Sequence, residues 1–251
     1  MPKIYEVIAN DLRTQINTGE LRPGDRLPSA ADLRAQYGGA RATIRRAIDE
    51  LVAERLVTST QGRAPIVRER PKLALRQTGA TYRNRQATGK SNFNAEVEAQ
   101  GRRPRQKILD VLEVPAADDI AHLLGVEPGS NVLLRRRLFL IDDEPAQLVD
   151  GYYDPELVSG TRIAEARPIR GGVQGVIEDP EGPIRRRVVQ FVEEIDIRMP
   201  NPHEKQSLDI PVGVPLARVL RTAYDTVGLP VEVLDSRIPA DRHTFRYEIA
   251  V

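Results

Sequence analysis

The segment GGARATIRRAIDEL, residues 38–51, combines an amphipathic helix pattern with an unusual order of charges. Its apolar residues recur at offsets of three and four, which predicts a helix with one buried face. Arg41, Arg45 and Arg46 fall in the first half of this helix, whereas its two acids come at the end. Because the helix dipole favours acids at the N-terminus and bases at the C-terminus, the reversed order indicates an anionic partner at the N-terminal end.

The segments on either side of this helix predict a winged helix-turn-helix. IYEVIANDLRTQINTGEL predicts a first amphipathic helix that ends at Gly19. Ser29, followed three residues later by Asp32, is a capping-box pattern that opens a short second helix. LVTSTQGRAPIV, after the third helix, predicts two strands joined by a glycine-containing turn. The expected buried face of the first helix consists of Ile4, Val7, Ile8, Leu12 and Ile16.

In a helix-turn-helix, the N-terminal residues of the third helix contact base edges in the major groove of DNA. Arg41 and Arg45 are one turn apart and share the face opposite the apolar stripe. A guanidinium group can donate two hydrogen bonds to O6 and N7 of guanine. Arg46 lies about 100° further round the helix, where a phosphate contact is expected. The alternative is a basic helix face that is merely solvated.

The charge distribution agrees with a nucleic-acid partner for the N-terminal third only. Residues 1–90 contain 17 lysines and arginines against 9 acids, whereas residues 91–251 contain 20 against 27. The chain has no cysteine and no apolar run of membrane-spanning length, and its N-terminus lacks the apolar core of a signal peptide. We therefore expect a cytoplasmic protein without disulfides, thiolate metal sites or a membrane partner.

Residues 3–69 resemble the DNA-binding domain of the GntR-family bacterial transcription regulators. The resemblance lies in the LPS before the second helix, in RATIRRAIDEL and in the QGR of the hairpin. It implies that arginines at the positions of Arg41 and Arg45 contact bases and that the glycine at the tip of the wing lies against DNA. The expected DNA-binding residues are Ser29, Arg41, Thr43, Arg45, Arg46, Gly62 and Arg63.

Several positions depart from the usual pattern of that family. Ala30-Ala31 replaces Glu-Arg, Ala40 and Ala42 replace hydroxyl residues, and Ala64-Pro65 replaces Gly-Thr in the wing. The alanine at 40 also removes an N-cap hydroxyl, which is usually worth about 1 kcal/mol. We therefore expect fewer DNA contacts per head and a greater dependence on dimerisation.

Residues 71–90 contain basic residues, no acid and little periodicity, so we interpret them as a linker. It is expected to be a solvated connection that is mobile without DNA. The alternative is a segment that follows the DNA backbone and adds non-specific affinity, with Tyr82, Arg83 and Arg85 as contacts.

The remainder, residues 91–251, predicts an α+β domain with an antiparallel sheet at its centre. Two long strands flank the turn Asp142-Asp143-Glu144, and a final hairpin turns near Gly228. LLGV-x-P-G, LR-x-RL, D-x-EP, RTAYD-x-x-G-x-PVE and DRH-x-F resemble the UTRA effector-binding domain of the HutC branch of GntR regulators. The resemblance spans about residues 91–249.

UTRA domains resemble chorismate lyase in fold, so an enzyme is the remote alternative. The histidines His122, His203 and His243 are not at metal-ligand spacing with one another, and no nucleophile-elbow or phosphate-loop motif is present. A fold does not by itself carry an activity. We expect no catalytic residue, no metal and no cofactor.

The resemblance also implies an effector pocket, to which the first helix of the domain contributes backbone N–H groups at its N-terminus. Sugar-phosphate-sensing members have an arginine where this chain has Phe139 and a serine where it has Gly151, which favours a less charged or more apolar effector. The expected effector-binding residues are Ser91, Asn92, Phe93, Asn94, Arg137, Phe139, Glu144, Tyr152, Glu232 and Arg242.

Taken together, the sequence predicts a homodimeric repressor that binds a pseudo-palindromic operator and responds to a small molecule, such as a sugar-like compound or an organic acid. Residues 1–70 would bind DNA, residues 71–90 would link the domains, and residues 91–251 would bind the effector and dimerise. The alternative is a constitutive DNA-binding repressor, for example of plasmid transfer genes, whose C-terminal domain only dimerises.

Overall fold

A computed structural model of the chain describes residues 2–54, 56–59, 64–68, 73–77, 91–210 and 213–247. The chain divides into two compact units. One comprises residues 1–71 and 211–213, and the other comprises residues 72–210 and 214–251. Within the described ranges, no helix is long and apolar enough to cross a membrane.

The first unit is the predicted winged helix-turn-helix. Its helices are α1 (Ile4–Thr18), α2 (Ala30–Tyr37) and α3 (Arg41–Ala53), and its strands are β1 (Val57–Thr58) and β2 (Ile66–Val67). The two strands pair antiparallel, and an isolated bridge joins Arg26 to Ile66 beside them. The apolar faces of the helices and the hairpin share one core.

The buried stripe of α1 is rotated slightly from the predicted one. Ile4 and Val7, which the pattern placed on it, are 48% and 42% exposed. The positions that follow Tyr5 at spacings of three and four residues include the small residue Ala9, which is buried in the core. The residues that face the core are Tyr5, Ile8, Ala9, Leu12 and Ile16.

The second unit is built on a six-stranded antiparallel sheet in the order β4-β5-β6-β9-β8-β7, which confirms the predicted α+β class. Its elements, in chain order, are β3 (Leu73–Gln77), α4 (Asn92–Ala99), β4 (Pro104–Pro115), α5 (Asp118–Leu124), β5 (Asn131–Ile141), β6 (Glu144–Tyr153), α6 (Pro155–Val158), a 3₁₀ turn (Arg162–Ala164), α7 (Val173–Ile177), β7 (Val188–Arg198), α8 (Pro202–Ser207), β8 (Leu216–Asp225), β9 (Pro230–Pro239) and β10 (His243–Tyr247).

The sheet has two faces, which we call front and back. On the front face, α4 covers one end, and α6, the 3₁₀ turn and α7 cover the other end. On the back face, α5 covers one end and the segment after α8 covers the other. Because side chains alternate along a strand, every second residue of β5, β6, β8 and β9 belongs to the front face.

Turn signals in the sequence located the two long hairpins of the sheet correctly. Asp142 and Asp143 both have positive φ, 50° and 68°, as a two-residue connection between antiparallel strands requires. Gly228, with φ of 79°, lies in the turn between β8 and β9.

The interpretation of residues 71–90 as linker differs from the structure at β3. Residues 73–77 form a strand that pairs in parallel with β10, so this part of the segment is a strand of the second unit. The proposed backbone-tracking residues Tyr82, Arg83 and Arg85 lie outside the described residues.

Candidate functional site

The turn between α2 and α3 sets the position of the third helix. Ser29 caps α2, because the Asp32 backbone N–H donates to its Oγ at 3.2 Å and the Ser29 N–H donates to the Asp32 carboxylate at 3.1 Å. Gly38 and Gly39 then have φ of 73° and 92°, a region that residues with a side chain rarely adopt. Two glycines in succession therefore allow the tight entry into α3.

Helix α3 presents its arginines away from the core, as predicted. Ile44, Ala47 and Leu51 are fully buried, whereas Arg41 and Arg45 are exposed. Arg45 Nε lies 4.0 Å from the carboxylate of Asp49, but both side chains are mostly exposed, so this pair contributes little stability. The two guanidinium groups can therefore be used by an anionic partner.

The start of α3 has no side-chain cap, since its N-cap residue is Ala40. Its first turn contains no acid either. The unsatisfied N–H groups and the positive end of the helix dipole thus lie beside Arg41, and together they favour a bound anion.

Arg46 is held by the first helix. Its guanidinium lies 3.9 Å from the centroid of the Tyr5 ring, and its Nη2 donates to the Tyr5 hydroxyl at 3.2 Å. The Tyr5 hydroxyl in turn donates to Glu6 at 2.9 Å. Arg46 is nevertheless exposed, so it remains accessible to a phosphate while the ring fixes its direction.

The other predicted DNA-binding residues lie in different environments. The Oγ of Ser29 is engaged in the cap of α2. Thr43 is half-buried at the start of α3, close to Gly39. Gly62 and Arg63, expected at the tip of the wing, lie outside the described residues.

In the second unit, Phe93, Arg137 and Phe139 come together on the front face. The Phe93 and Phe139 rings meet edge to face with centroids 4.7 Å apart. The Arg137 guanidinium lies 5.5 Å from the centroid of the Phe139 ring. Helix α4 thus contributes one aromatic wall beside a cation on β5.

Arg137 is a buried cation that has no counter-ion among the described residues. Its exposed fraction is 7%, and its Nε has no hydrogen-bond partner. Among the residues that the structure describes, no carboxylate forms an ion pair with it. A charge removed from water in this way is costly unless a partner of opposite charge arrives.

Glu232 also lies on the front face, and it is already hydrogen-bonded. The Tyr153 hydroxyl donates to it at 2.7 Å, and Arg221 Nη2 lies 3.5 Å from its other oxygen. Burial, reinforced by the charge of Glu232, raises the pKa of Tyr153 well above its usual value, so Tyr153 stays a neutral donor. Tyr153 leans over Gly151, where an added Cβ would lie 2.5 Å from its hydroxyl oxygen.

A strip in the middle of the front face lies between the two helical layers. Leu234 and Ser236, on the central strand β9, are only half-buried there. Register places Leu234 beside Gly151 and Arg221, and Ser236 beside Val149, whose other neighbour is Arg137. We call Arg137, Arg221, Leu234 and Ser236 the central strip. The strip contains both polar and apolar side chains. The Phe139 ring, with Phe93 against it, lies beside Arg137.

The start of α4 lies close to another loop of the same unit. Ser91 is the N-cap, and the Asn94 backbone N–H donates to its Oγ at 3.4 Å. A Cβ at Gly172 would lie 3.3 Å from the Ser91 side chain. Asn94 is half-buried, whereas the side chain of Asn92 lies outside the described residues.

Tyr152, Arg242 and Glu144 do not join this group. Tyr152 points to the back face and packs with α5, because it is one residue from Tyr153 on a strand. Arg242 donates to the carbonyl oxygens of Pro145, Leu208 and Asp209 at 2.7–3.0 Å, so its guanidinium holds two distant chain segments together. Glu144 is exposed at the first position of β6.

Sequence reasoning missed Arg135, Tyr153 and Arg221. Arg135 is fully buried and donates to the carbonyl oxygens of Ile163 at 3.0 Å and Arg167 at 2.6 Å, so it ties the 3₁₀ turn to the sheet. Burial and the neighbouring Arg137 lower the pKa of Arg135. The two-residue spacing from Arg137 could have placed Arg135 on the same face.

The described residues contain no group of three histidine or carboxylate side chains that could hold a metal ion. The groups that this site offers to a ligand are a buried cation, an aromatic edge and a carboxylate that is hydrogen-bonded to Tyr153. In the first unit, the N-terminal end of α3 offers arginine side chains and backbone N–H groups to an anion.

Comparison with known proteins shows the same two-part organisation elsewhere. Residues 4–67 match the family model of bacterial regulatory proteins of the gntR family, and residues 99–244 match that of the UTRA domain. The whole chain is 30% identical to an HTH-type transcriptional regulator of Streptomyces coelicolor, 93% of which is covered. It is 28% identical to the HTH-type transcriptional repressor NagR of Bacillus subtilis, with 96% of this chain and 93% of NagR covered.

Solved structures agree with this comparison. A crystal structure of a GntR-family transcriptional regulator superposes with a TM-score of 0.62 at 28% identity, covering 99% of this chain and 98% of the other. PhnF from Mycobacterium smegmatis gives a TM-score of 0.60 at 22% identity, covering 97% and 99%, and shows a similar fold.

Proposed function

Because the chain belongs to the GntR family of bacterial regulatory proteins and carries a UTRA domain, it is a DNA-binding transcriptional regulator, and we propose that it is a homodimeric repressor. Each winged helix binds one half of a two-fold symmetric operator, and a small molecule bound to the second unit lowers operator affinity. The similarity to NagR, a transcriptional repressor that matches along nearly the whole chain, supports this direction of control.

The observation that carries the DNA-binding mode is the N-terminal end of α3. Exposed Arg41 and Arg45 lie beside an uncapped helix end, while the opposite face packs fully into the core. An arginine fork on guanine gives about 1–3 kcal/mol of discrimination against other bases. We propose that these two side chains contact bases and that Arg46, directed by Tyr5, contacts a phosphate.

The proposed division of labour follows the two units. Residues 1–70 bind DNA, and residues 91–251 dimerise and bind the effector, with β3 of the intervening segment belonging structurally to the second unit. The effector acts only if it binds one arrangement of the DNA-binding heads more tightly than another. The uncompensated Arg137 supports a ligand site on the front face of the sheet.

The DNA-binding mode is tested with an operator obtained by genomic footprinting and with single-base variants of it. Arg41→Ala and Arg45→Ala should each weaken binding by about 1–3 kcal/mol and relax discrimination at one base pair. Arg46→Ala should weaken all sequences alike and reduce the salt dependence. Fluorescence anisotropy at several salt concentrations measures both effects.

Lys107→Ala is the matched control, because it removes an exposed cation from the second unit. It should leave operator affinity unchanged. If the Arg41→Ala protein still distinguishes every single-base variant as the unaltered protein does, Arg41 does not contact a base. The dimer is tested by light scattering and by a half-site operator, which should bind far more weakly than the full site. A monomeric protein would contradict it.

A further inference from the structure

The front face of the second unit has an excess of positive charge around the central strip. Arg135, Arg137 and Arg221 lie there on β5 and β8, against two acids of the described residues: the buried Glu232, and the half-buried Glu193, which is the cross-strand neighbour of Arg221. Arg135 donates to backbone carbonyls, which carry no net charge. The unit is therefore arranged for a ligand that brings negative charge to Arg137.

The surroundings of Arg137 favour one negative charge over two. The neighbouring front-face position on β5 is Phe139, whose ring contacts both Arg137 and Phe93. A guanidinium can donate two parallel hydrogen bonds to a carboxylate or to a phosphate, but its single charge neutralises a carboxylate fully and a phosphate monoester dianion only in part. The edge of an aromatic pair beside the cation provides contact area for an apolar body.

Both oxygens of Glu232 already have a donor from the protein beside them. Tyr153 donates to one of its oxygens, and Arg221 lies beside the other. Gly151 makes this possible, because the Tyr153 ring occupies the space of a side chain at position 151. A ligand that depends on hydroxyl groups to reach this glutamate, as a sugar would, meets a carboxylate that is already hydrogen-bonded.

We propose that the effector is a small monocarboxylic acid with a flat apolar body. The carboxylate of the effector binds Arg137, and its apolar body lies against Phe93 and Phe139. Tyr153, whose ring lies over Gly151, is a positioning residue that keeps Glu232 hydrogen-bonded within the protein. This inference rests on the proposed function, because it assigns a ligand class to the effector site of the second unit.

The test is titration calorimetry of the full-length protein with 3-phenylpropionate, its neutral amide and glucosamine 6-phosphate. The acid should bind, and the amide and the sugar phosphate should bind at least about tenfold more weakly, since they lack either the charge or the apolar body. Equal binding of acid and amide, or tighter binding of the sugar phosphate, would overturn the proposal. So would no binding of the acid at millimolar concentration.

Arg137→Gln separates a ligand-binding arginine from a structural one. Without ligand, its melting temperature should equal or exceed that of the unaltered protein, because a buried charge without a counter-ion has been removed. Its affinity for 3-phenylpropionate should fall at least about tenfold. Lys107→Gln, which removes an exposed cation from the adjacent strand, should change neither quantity. A lower melting temperature with unchanged affinity for the acid would contradict the assignment.

Tyr153→Phe tests whether the Tyr153 hydroxyl keeps Glu232 from accepting a hydrogen bond from the ligand. Without the hydroxyl, Glu232 can accept from a ligand, so the affinity for 3-phenyllactate relative to 3-phenylpropionate should rise at least about threefold. A purely structural tyrosine would change both affinities alike, and that result would contradict the positioning role.

Operator release distinguishes failure of this inference from failure of the proposed function. If glucosamine 6-phosphate releases the operator and the acid does not, the ligand class is wrong but the repressor assignment stands. If Arg41→Ala leaves operator binding unchanged, the proposed DNA-binding mode fails, whatever the second unit binds.

Discussion

At the scale of single residues, the hydrogen bonding of Glu232 on the front face depends on whether Tyr152 or Tyr153 points towards that face. Sequence similarity favoured Tyr152, but the strand turns that side chain to the back face, towards α5. Tyr153 takes the front position and fills the space above Gly151. A glycine in the interior of a strand usually weakens it, so this one indicates a close approach of another group.

We predict that the space at Gly151 and the size of Tyr153 are coupled. Gly151→Ala should lower the free energy of unfolding by about 1–3 kcal/mol, because its Cβ would overlap the tyrosine ring. In a Tyr153→Leu background, where the side chain is shorter, the same change should cost clearly less. A double-mutant cycle measured by urea unfolding gives the coupling energy. Additive costs would show that the two residues do not share the space.

The fold of the first unit and the alternation within β5 could be predicted from local sequence signals. The front-face position of Tyr153 could not be predicted, because the register between β5 and β6 shifts by one residue beyond the pair Phe139–Gln147. The structural role of Arg242 was also beyond prediction, since its acceptors, Pro145 on one side and Leu208 and Asp209 on the other, are far apart in the chain.

At the scale of helices and strands, the elements with their own end signals were predicted well. The capping box at Ser29 begins α2 where expected, and Gly19 ends α1 in the left-handed conformation. The pair β3 and β10 was missed, because its two five-residue strands are separated by most of the chain. A short parallel pairing of this kind leaves no periodic pattern that a local reading can detect.

We predict that the cap of α2 stabilises the first unit measurably. Ser29→Ala should lower the free energy of unfolding by about 1 kcal/mol, because the Asp32 backbone N–H loses its acceptor. Ser29→Asp should retain most of the stability, since a carboxylate also accepts at this position. Urea unfolding followed by circular dichroism measures the change. Ser59→Ala, at an exposed position, is the control. An unaffected midpoint in Ser29→Ala would mean that the cap contributes nothing.

At the scale of the whole molecule, charged groups inside the second unit tie its stability to pH. Asp150 is completely buried on the back face and is paired with Arg136 at 2.8 Å and Arg237 at 2.9 Å. Burial alone would raise the pKa of this carboxyl, but the two arginines outweigh it and hold the pKa below its usual value. His243 is the opposite case, a buried base whose Nδ1 lies 3.2 Å from the Pro239 carbonyl oxygen and which has no carboxylate partner in the described part of the chain. Burial lowers the pKa of His243 to about 4.

We predict that the second unit loses stability between pH 6.5 and pH 4 because of His243. The folded state keeps the ring neutral, so this contribution is fully present above the unfolded pKa near 6.5 and is lost as the pH falls towards the folded value. A shift of this size corresponds to about 3 kcal/mol, or roughly 1.4 kcal/mol per pH unit. Urea unfolding at a series of pH values measures the slope.

The other two histidines provide the controls, because His122 and His203 are both exposed. His122→Gln and His203→Gln should retain the slope, whereas His243→Gln should flatten it even if the protein is less stable throughout. A slope that persists in His243→Gln would assign the pH dependence to another group.

The missing side-chain cap at the start of α3 has a consequence for the complex with DNA. Ala40 provides no side-chain acceptor for the first amides of this helix, and no acid in its first turn offsets the arginines beside them. In the proposed binding mode, an operator phosphate supplies the acceptor and the negative charge that the sequence omits. The nucleic acid then takes the place of the missing cap, so operator binding should stabilise the first turn of α3 as well as hold the two molecules together.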